Sequence, residues 1–386
     1  MRVLHTADWH IGKKLGRIDR SSEFEAAIDE ITAIAKDQKV DLTIVAGDLL
    51  DRSLPSLDSI GLVVDALIRL ADASGRVVAM PGNHDSPQLF EVLARLLEPR
   101  GVMLVPRIAR PESGGLLTVP SRDGTHAASV GVFPFLHEAQ VVDFMAESEE
   151  WFKGYAQRIR LISAALCDAF DPKCVGFLVG HYFVDGAEVG GGERQIHLGQ
   201  QYAATAQAIP PGASYVALGH IHRPQEIQGA AVRARYSGSI LQLDFSERTH
   251  NKEVVIVEAL PGRPAQVKSI QLSAGRRLLR VEDELEGLRA RADEFKDAYL
   301  DVRVKTSGPV LGLADEVRSF LPNAVAVQAV YERSMDPLRV VTDTEQTIAE
   351  MYSEFHRSTR GHSVEAPPEL IDVLKALEEE VLHEAS

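Results

Sequence analysis

Five short segments of the chain place residues that can bind metal ions directly after a short apolar run. They are Asp8-Trp9-His10, Gly47-Asp48-Leu49-Leu50-Asp51, Gly82-Asn83-His84-Asp85, Gly180-His181 and Gly219-His220-Ile221-His222. Carboxylate, amide and imidazole groups without a thiolate favour manganese, iron or zinc, and disfavour copper(I) or an iron–sulfur cluster. Two such ions about 4 Å apart can activate water and stabilise the attacking and leaving oxygens of a phosphodiester. Together the segments predict a two-metal phosphoesterase site.

The apolar runs before these segments predict the strands that position the ligands. They are rich in aliphatic and β-branched residues, as is typical of strands buried on both faces: Arg2–His5, Leu42–Ala46, Arg76–Met80, Val175–Val179 and Tyr215–Leu218. Because ligands bind outside the carboxyl ends of strands in layered α/β proteins, we expect the segments to converge there. The glycines at 47, 82, 180 and 219 are expected to supply permissive dihedral angles where the chain leaves each strand.

The chemistry of the side chains suggests how two ions would share them. Asp48 is the natural bridge, because a carboxylate has two oxygens. The other ligands form two sets, in which the last two histidines are interchangeable: Asp8, His10 and one of His220 or His222, then Asn83, His181 and the other histidine.

His84 directly follows the predicted ligand Asn83 and is itself not one of the predicted ligands. Its imidazole could protonate the departing oxygen or stabilise charge on the phosphoryl group, because its ordinary pKa lies near neutrality. Asp85 would then orient the ring. The spacing therefore predicts His84 as the general acid, with Asp85 as its partner.

The order of the segments resembles the calcineurin-like metallophosphoesterase superfamily, and residues 1–12 and 45–51 resemble specifically the SbcD family of bacterial nuclease subunits. The resemblance covers most of the chain. It implies a layered α/β fold, a β-sandwich flanked by helices, and two divalent ions, with manganese expected. The ligands that it implies are Asp8, His10, Asp48 and His222 for the first ion, and Asp48, Asn83, His181 and His220 for the second, with His84 catalytic.

The same resemblance implies a DNA nuclease that acts as a double-strand exonuclease and a single-strand or hairpin endonuclease in DNA end processing, repair and recombination. It implies a homodimer that works with an SbcC-type ATPase. Asp51 departs from the archaeal and eukaryotic relatives, which have a phosphate-contacting histidine at this position, but it is usual in the bacterial branch. Two alternatives are a phosphoesterase for a non-DNA phosphodiester or phosphomonoester, since the same site serves both, and a scaffold with a decayed site. The complete ligand set argues against decay.

The formal net charge of −15 disfavours strong DNA binding by the chain alone, because Lys and Arg supply most non-specific affinity for phosphates. Bound ions would reverse the sign of charge at the site. Residues 337–386 also hold eleven acidic and only four basic residues. A basic cluster after the first segment is a candidate DNA contact, with a solvated loop as the alternative: Lys13, Lys14, Arg17 and Arg20.

Length and composition indicate an intracellular enzyme of two or three domains. The 386 residues can bury a full core, and only two cysteines, Cys167 and Cys174, are present, so no disulfide framework suggests secretion. The chain begins without a basic and then apolar signal region, and it has no apolar run that could span a membrane. We therefore expect a cytoplasmic, nucleoid-associated protein with no membrane contact.

Three domains are expected from the periodicities. Residues 1–272 form the nuclease domain, in which helix 1 opens at Ser21 or Ser22 with a Ser22–Glu25 capping box. Residues 273–336 alternate strand-like and helical runs, which predicts a small α+β capping domain that, in the family, helps to sort DNA by shape. Residues 337–386 contain two amphipathic helices at 347–356 and 369–382. We expect this helical tail to bind the SbcC-type ATPase as helices in a groove, with ordinary packing on the body as the alternative.

Overall fold

Two mixed six-stranded sheets carry the ligand segments. A computed structural model of the chain describes residues 1–136, 154–193, 203–331, 347–360 and 366–384. In spatial order, the first sheet contains β14 (Gln266–Gln271), β13 (Glu253–Glu258), β1 (Arg2–Thr6), β2 (Leu42–Val45), β3 (Val77–Ala79) and β4 (Val102–Leu104). The second contains β11 (Gln225–Glu226), β12 (Ala234–Tyr236), β10 (Tyr215–Gly219), β7 (Val175–His181), β6 (Ala127–Phe133) and β5 (Leu116–Pro120).

The five predicted strands are confirmed, and they run in the direction that the ligand segments require. Strands β1 to β4 are parallel neighbours, so the segments after β1, β2 and β3 leave the same edge of the first sheet. Strands β7 and β10 are also parallel neighbours in the second sheet. The imidazole Nδ1 of His181, at the end of β7, lies 2.8 Å from the carbonyl oxygen of Ala46, just after β2. The ligand-bearing edges of the two sheets therefore meet.

Alternate residues of these strands enter different cores, because successive side chains of a strand point to opposite faces. Leu4, Val45 and Ala79 pack in a core with the helices of the first sheet, and Ile44 and Val78 pack between the sheets. A third core lies between the second sheet and a further helix. The helices are α1 (Ser21–Asp37), α2 (Leu57–Ser74) and α3 (Pro87–Leu97) on the first sheet, and α4 (Tyr155–Asp168) on the second. The expected helix-flanked sandwich is therefore confirmed.

The predicted capping box of α1 is wrong. The helix begins at Ser21, and its N-cap position is Arg20, which makes no side-chain capping bond. The first amide is instead satisfied from the preceding turn, because Ser21 N–H donates to Asp19 Oδ1 at 2.9 Å. The apolar face of the helix packs in the core: Phe24, Ile28 and Ile31 are buried, and Ile34 is partly buried.

A small third sheet follows the sandwich. It consists of β15 (Arg277–Asp283), β16 (Ala298–Lys305) and β17 (Ala324–Val330), with α5 (Leu285–Ala290) and α6 (Leu313–Phe320) over one face. Its other face contacts the loop after the first ligand segment: Leu278, Tyr299 and Leu15 form one buried cluster. The Tyr299 hydroxyl also donates to Glu23 Oε1 at 2.7 Å. Strands and helices thus alternate in this stretch as the sequence predicts, while a separate capping domain over residues 273–336 stays a prediction.

The remaining elements are few. Strands β8 (Phe183–Val184) and β9 (Ala203–Ala204) form a two-stranded sheet. Residues 1–331 cluster as one unit and residues 332–386 as another, in which α7 (Ile348–Arg360) and α8 (Pro368–Glu384) pack on each other. The predicted boundary at 336/337 lies outside the described residues. None of the helices in the described part of the chain is long and apolar enough to cross a membrane.

Candidate metal centre

All seven predicted ligands are brought together, and all are buried. Three groups of acidic and histidine side chains each have ligand atoms within 4.8 Å of one another: Asp8, His10 and His222; Asp8, Asp48 and His181; and His10, Asp48 and His84. Asn83 connects the remaining histidine, His220, with His181, because its Oδ1 lies 3.0 Å from His181 Nε2 and 3.0 Å from His220 Nδ1. Segments from both sheets thus line one site.

Asp48 lies between the two sets of ligands. Its Oδ2 is 3.5 Å from His10 Nε2 on one side and 3.4 Å from His181 Nε2 on the other. Its Oδ1 accepts a hydrogen bond of 2.8 Å from the backbone N–H of His84. One carboxylate oxygen therefore faces both sets, which is the position that a bridging ligand needs.

The histidines at 220 and 222 separate according to their neighbours. His222 groups with Asp8 and His10, and its ring centroid is 4.8 Å from that of His10. His220 contacts Asn83, and its ring centroid is 5.3 Å from that of His181. This arrangement favours His222 in the first set and His220 in the second, which is the division that the family resemblance implies.

The backbone at the site is strained at the ligands themselves. Asp8, His10, Asp48 and His220 adopt positive φ angles of 51°, 50°, 52° and 102°. Such angles in residues with a Cβ cost about 1–3 kcal/mol each and persist only where the surroundings enforce them. Among the four predicted glycines only Gly47 has a positive φ. The others serve a different purpose, because a Cβ at Gly82 would collide with Asp48, and one at Gly219 with the Ala46 carbonyl.

The hydrogen bonds of Asp85 differ from those expected of a partner that orients the His84 ring. Its carboxylate accepts hydrogen bonds from the backbone N–H groups of Leu49 at 3.1 Å, Leu50 at 2.9 Å and Gly82 at 2.9 Å. It therefore fixes the loop that carries Asp48 against the loop that carries Asn83. The His84 ring is oriented by another group, since its Nδ1 lies 2.8 Å from the Asp51 carbonyl oxygen.

The side chain of Asp51 faces the first ligand set and a cation. Its Oδ1 is 3.7 Å from His10 Nδ1 and 3.2 Å from Lys13 Nζ. Burial opposes ionisation of this carboxyl, but His10 and Lys13 hold its pKa well below the usual range. Asp51 thus connects a ligand of the site with a partly exposed lysine at its rim.

The basic cluster after the first segment divides in two. Lys14 and Arg17 are exposed and Lys13 is partly exposed, so these three side chains can meet a polyanion. Arg20 departs from the prediction, because its guanidinium is buried, pairs with Glu23 at 3.0 Å and donates to the Gln242 carbonyl at 2.6 Å. It is a structural residue at the start of α1, and it is not available as a DNA contact.

Three charged residues of the site carry no motif and were not predicted. Glu247 Oε1 lies 2.9 Å from His222 Nδ1, and Lys252 Nζ donates to Glu247 Oε2 at 2.7 Å. Glu193 accepts the backbone N–H of His222 at 2.9 Å. Near Glu247 the sequence offers only Asp244, which caps the short 3-10 helix Phe245–Glu247. A capping residue does not indicate which part of the protein its helix contacts.

The donor set fits divalent ions. Among the residues that the structure describes, His10 Nε2 is buried without a hydrogen-bond partner, and it lies opposite Asp48 Oδ2, which is how a nitrogen that binds a cation is placed. Without a cation, the negative charges of Asp8 and Asp48 favour a proton on the neighbouring imidazole of His181. Burial opposes protonation of His181, but Asp48 and Asp8 raise its pKa to about 9. Burial raises the pKa of Asp8 itself to about 6.

Metal binding should therefore release protons. At about pH 7.5 the ion-free protein holds a proton on His181, whose pKa is about 9, and an ion binds only the neutral imidazole. Affinity for manganese should rise as the pH is raised from about 7 to about 9. Calorimetric titrations near neutral pH in two buffers with different enthalpies of ionisation check this, and equal heats in both buffers would contradict it.

Comparison with known proteins shows the family of the chain. The family model for calcineurin-like phosphoesterases matches residues 1–224. The chain is 30% identical to the SbcD subunit of the nuclease SbcCD from Bacillus subtilis over 380 residues, 94% of each chain, and 27% identical to that from Escherichia coli K12 over 92% of this chain and 91% of the relative. It is 32% identical to the Rhodobacter capsulatus protein of the same name over 81% of this chain and 80% of the relative. The chain therefore belongs to the calcineurin-like phosphoesterases and, within them, to the SbcD family.

Proposed function

We propose that this chain is a DNA nuclease subunit that hydrolyses phosphodiesters with two divalent ions, most simply manganese. The observation that carries the proposal is the position of Asp48, whose Oδ2 lies within 3.5 Å of both His10 and His181. A first ion would be held by Asp8, His10, Asp48 and His222, and a second by Asp48, Asn83, His181 and His220. The relatives are named as nuclease subunits, which favours a nucleic acid over another phosphoester as substrate.

In the proposed mechanism the protein supplies position and proton transfer. When bound, the ions supply Lewis acidity toward water and the phosphodiester. His84 Nδ1–H donates to the Asp51 carbonyl oxygen, which holds the ring in place. The proton for the departing oxygen is proposed to come from Nε2 of the imidazolium, which leaves the neutral ring with its proton on Nδ1. Asp85 fixes the two ligand loops through three backbone amides. Lys13, Lys14 and Arg17 are proposed to contact DNA phosphates beside the site.

Cleavage of an end-labelled hairpin duplex tests this function. Purified protein would be assayed with manganese, with and without an SbcC-type ATPase, and beside a small aryl phosphodiester. Manganese-dependent cleavage of the hairpin supports a nuclease that acts on DNA ends. Hydrolysis of the aryl compound with no cleavage of DNA under either condition would favour the alternative, a phosphoesterase for a non-DNA substrate.

The two terminal helices are proposed to dock on the SbcC-type ATPase. Six large apolar side chains on α7 and α8 are between 41% and 61% exposed, at helical spacing: Ile348, Met351, Phe355, Leu370, Val373 and Leu377. Apolar positions repeated in this way on amphipathic helices are typical of helix-in-groove binding.

Deleting residues 337–386 should remove association with the ATPase and leave hydrolysis of a small phosphodiester nearly unchanged. All proposed ligands precede residue 223, and residues 332–386 cluster as a unit of their own. A pull-down with the purified ATPase, together with an aryl phosphodiester assay, measures both effects. Retention of the ATPase by the shortened chain would place its binding site elsewhere.

A homodimer is also proposed, with its interface on α2 and α3. Exposed apolar side chains cluster at the start of α2 and along α3: Leu54, Leu57, Val92 and Leu96. Leu54 and Leu57 are 90% and 85% exposed, and exposed apolar patches mark protein–protein interaction sites. Sedimentation of the full chain decides between a dimer and a monomer. As an SbcD-family nuclease it is proposed to act in the cytoplasm, with the nucleoid.

A further inference from the structure

Glu247 is a fully buried carboxylate beside the proposed first-ion site, and it belongs to none of the five ligand segments. Its two oxygens have different neighbours. Oε1 lies 2.9 Å from His222 Nδ1. Oε2 accepts hydrogen bonds from Lys252 Nζ at 2.7 Å, from Leu243 N–H at 3.1 Å and from Ser239 Oγ at 3.3 Å. One oxygen thus holds the surrounding loop, and the other faces a proposed ligand.

We propose that Glu247 is a positioning residue that keeps the proton of His222 on Nδ1 and so presents Nε2 to the first ion. Histidine ligands commonly donate their second ring N–H to a carboxylate, which fixes both the tautomer and the ring orientation. The inference rests on the proposed function, because it takes His222 as a ligand. It adds a specific residue on which the affinity of one ion, and not the other, depends.

The rest of the network makes this arrangement rigid. Lys252, itself buried, donates to Glu247 Oε2 at 2.7 Å and to the backbone carbonyl of His222 at 2.9 Å. Glu193 accepts the backbone N–H of the same histidine at 2.9 Å. The main chain of His222 is therefore held at both polar groups, and its ring is held by Glu247. The ammonium of Lys252 also offsets the buried charge of Glu247, which would otherwise be costly.

The variant Glu247→Gln tests the tautomer. Three donors face Oε2, so the amide oxygen of the new side chain in E247Q must lie on that side. The NH₂ group then faces His222 Nδ1, which has to accept, and the ring proton moves to Nε2. We expect one manganese ion to bind about 10–100-fold more weakly while the other binds as in the unchanged protein. The electron paramagnetic resonance spectrum should change from that of a coupled manganese pair to that of an isolated ion.

Glu258→Gln is the matched control, because this exposed glutamate pairs with Arg2 at the far end of β1 and should leave both affinities unchanged. Wild-type affinity for both ions in E247Q would overturn the inference, as would an equal loss at both ions together with a lower melting temperature. If E247Q does not fold, the histidine ¹⁵N spectrum of the unchanged protein with Zn²⁺ decides. An unprotonated Nδ1 on His222 overturns the inference. Failure of the unchanged protein to bind any ion would instead overturn the proposed function.

Discussion

Replacing Asp48 with asparagine is expected to lower turnover on a small phosphodiester by a factor on the order of a thousand or more and to weaken binding of both ions together. The new side chain in D48N would keep an amide oxygen for the backbone N–H of His84, which now donates to Asp48 Oδ1 at 2.8 Å. The other position becomes an NH₂ group that faces His10 and His181. A donor there cannot bind a cation, so the bridge between the two ligand sets is lost while the shape of the side chain is kept.

Metal content and kcat measured on the same preparation of D48N check this result. Asp65→Asn is the matched control, because Asp65 is exposed on α2, where it pairs with Arg69, and lies outside the ligand segments. Unchanged metal content with full activity in D48N would rule out the bridging role. Loss of activity with a lower melting temperature and normal metal content would indicate a general effect on folding instead.

Replacing His84 with glutamine should lower kcat by about 10²–10⁴-fold with both ions retained, which is the range for a general acid. The contact between His84 and Asp48 is made by the backbone N–H and survives the change. The ring also groups with His10 and Asp48, so the variant tests whether His84 is a ligand. Loss of an ion from H84Q would make it one.

The leaving group gives this experiment a second readout. A p-nitrophenolate leaves without needing a proton, whereas a sugar oxygen of DNA needs one. If His84 protonates the departing oxygen, H84Q should lose much less activity on the p-nitrophenyl compound than on DNA. An equal loss on both substrates would favour stabilisation of charge on the phosphoryl group. His126→Gln serves as the control, because His126 lies on the loop before β6, outside the ligand segments.

The convergence of the five ligand segments could be predicted from the sequence because each segment directly follows a strand. The direction of a buried parallel strand then decides where its carboxyl end lies, as for Asp8 after β1 and His181 at the end of β7. The residue types alone do not assign His220 and His222 to different ligand sets. The neighbours that distinguish them, Asn83 and Asp8, lie far away in the chain.

The errors came from side chains whose partners are remote. Arg20 stands near three other basic residues in the sequence, but at the start of α1 its guanidinium contacts Glu23 and the Gln242 carbonyl. Asp85 sits beside His84, yet its carboxylate is taken by three backbone amides. Glu247 is 25 residues from His222, in a short 3-10 helix without periodicity. No local pattern encodes such contacts, because they form only when the sheets and loops come together.

Crystals of the protein grown with manganese, with diffraction data collected at the manganese absorption edge, show whether two ions bind and where they lie. We expect two anomalous peaks about 4 Å apart. One should lie among Asp8, His10 and His222, the other among Asn83, His181 and His220, with Asp48 between them. A single peak, or a pair of peaks that Asp48 does not contact, would contradict the two-ion site on which the proposed nuclease activity depends.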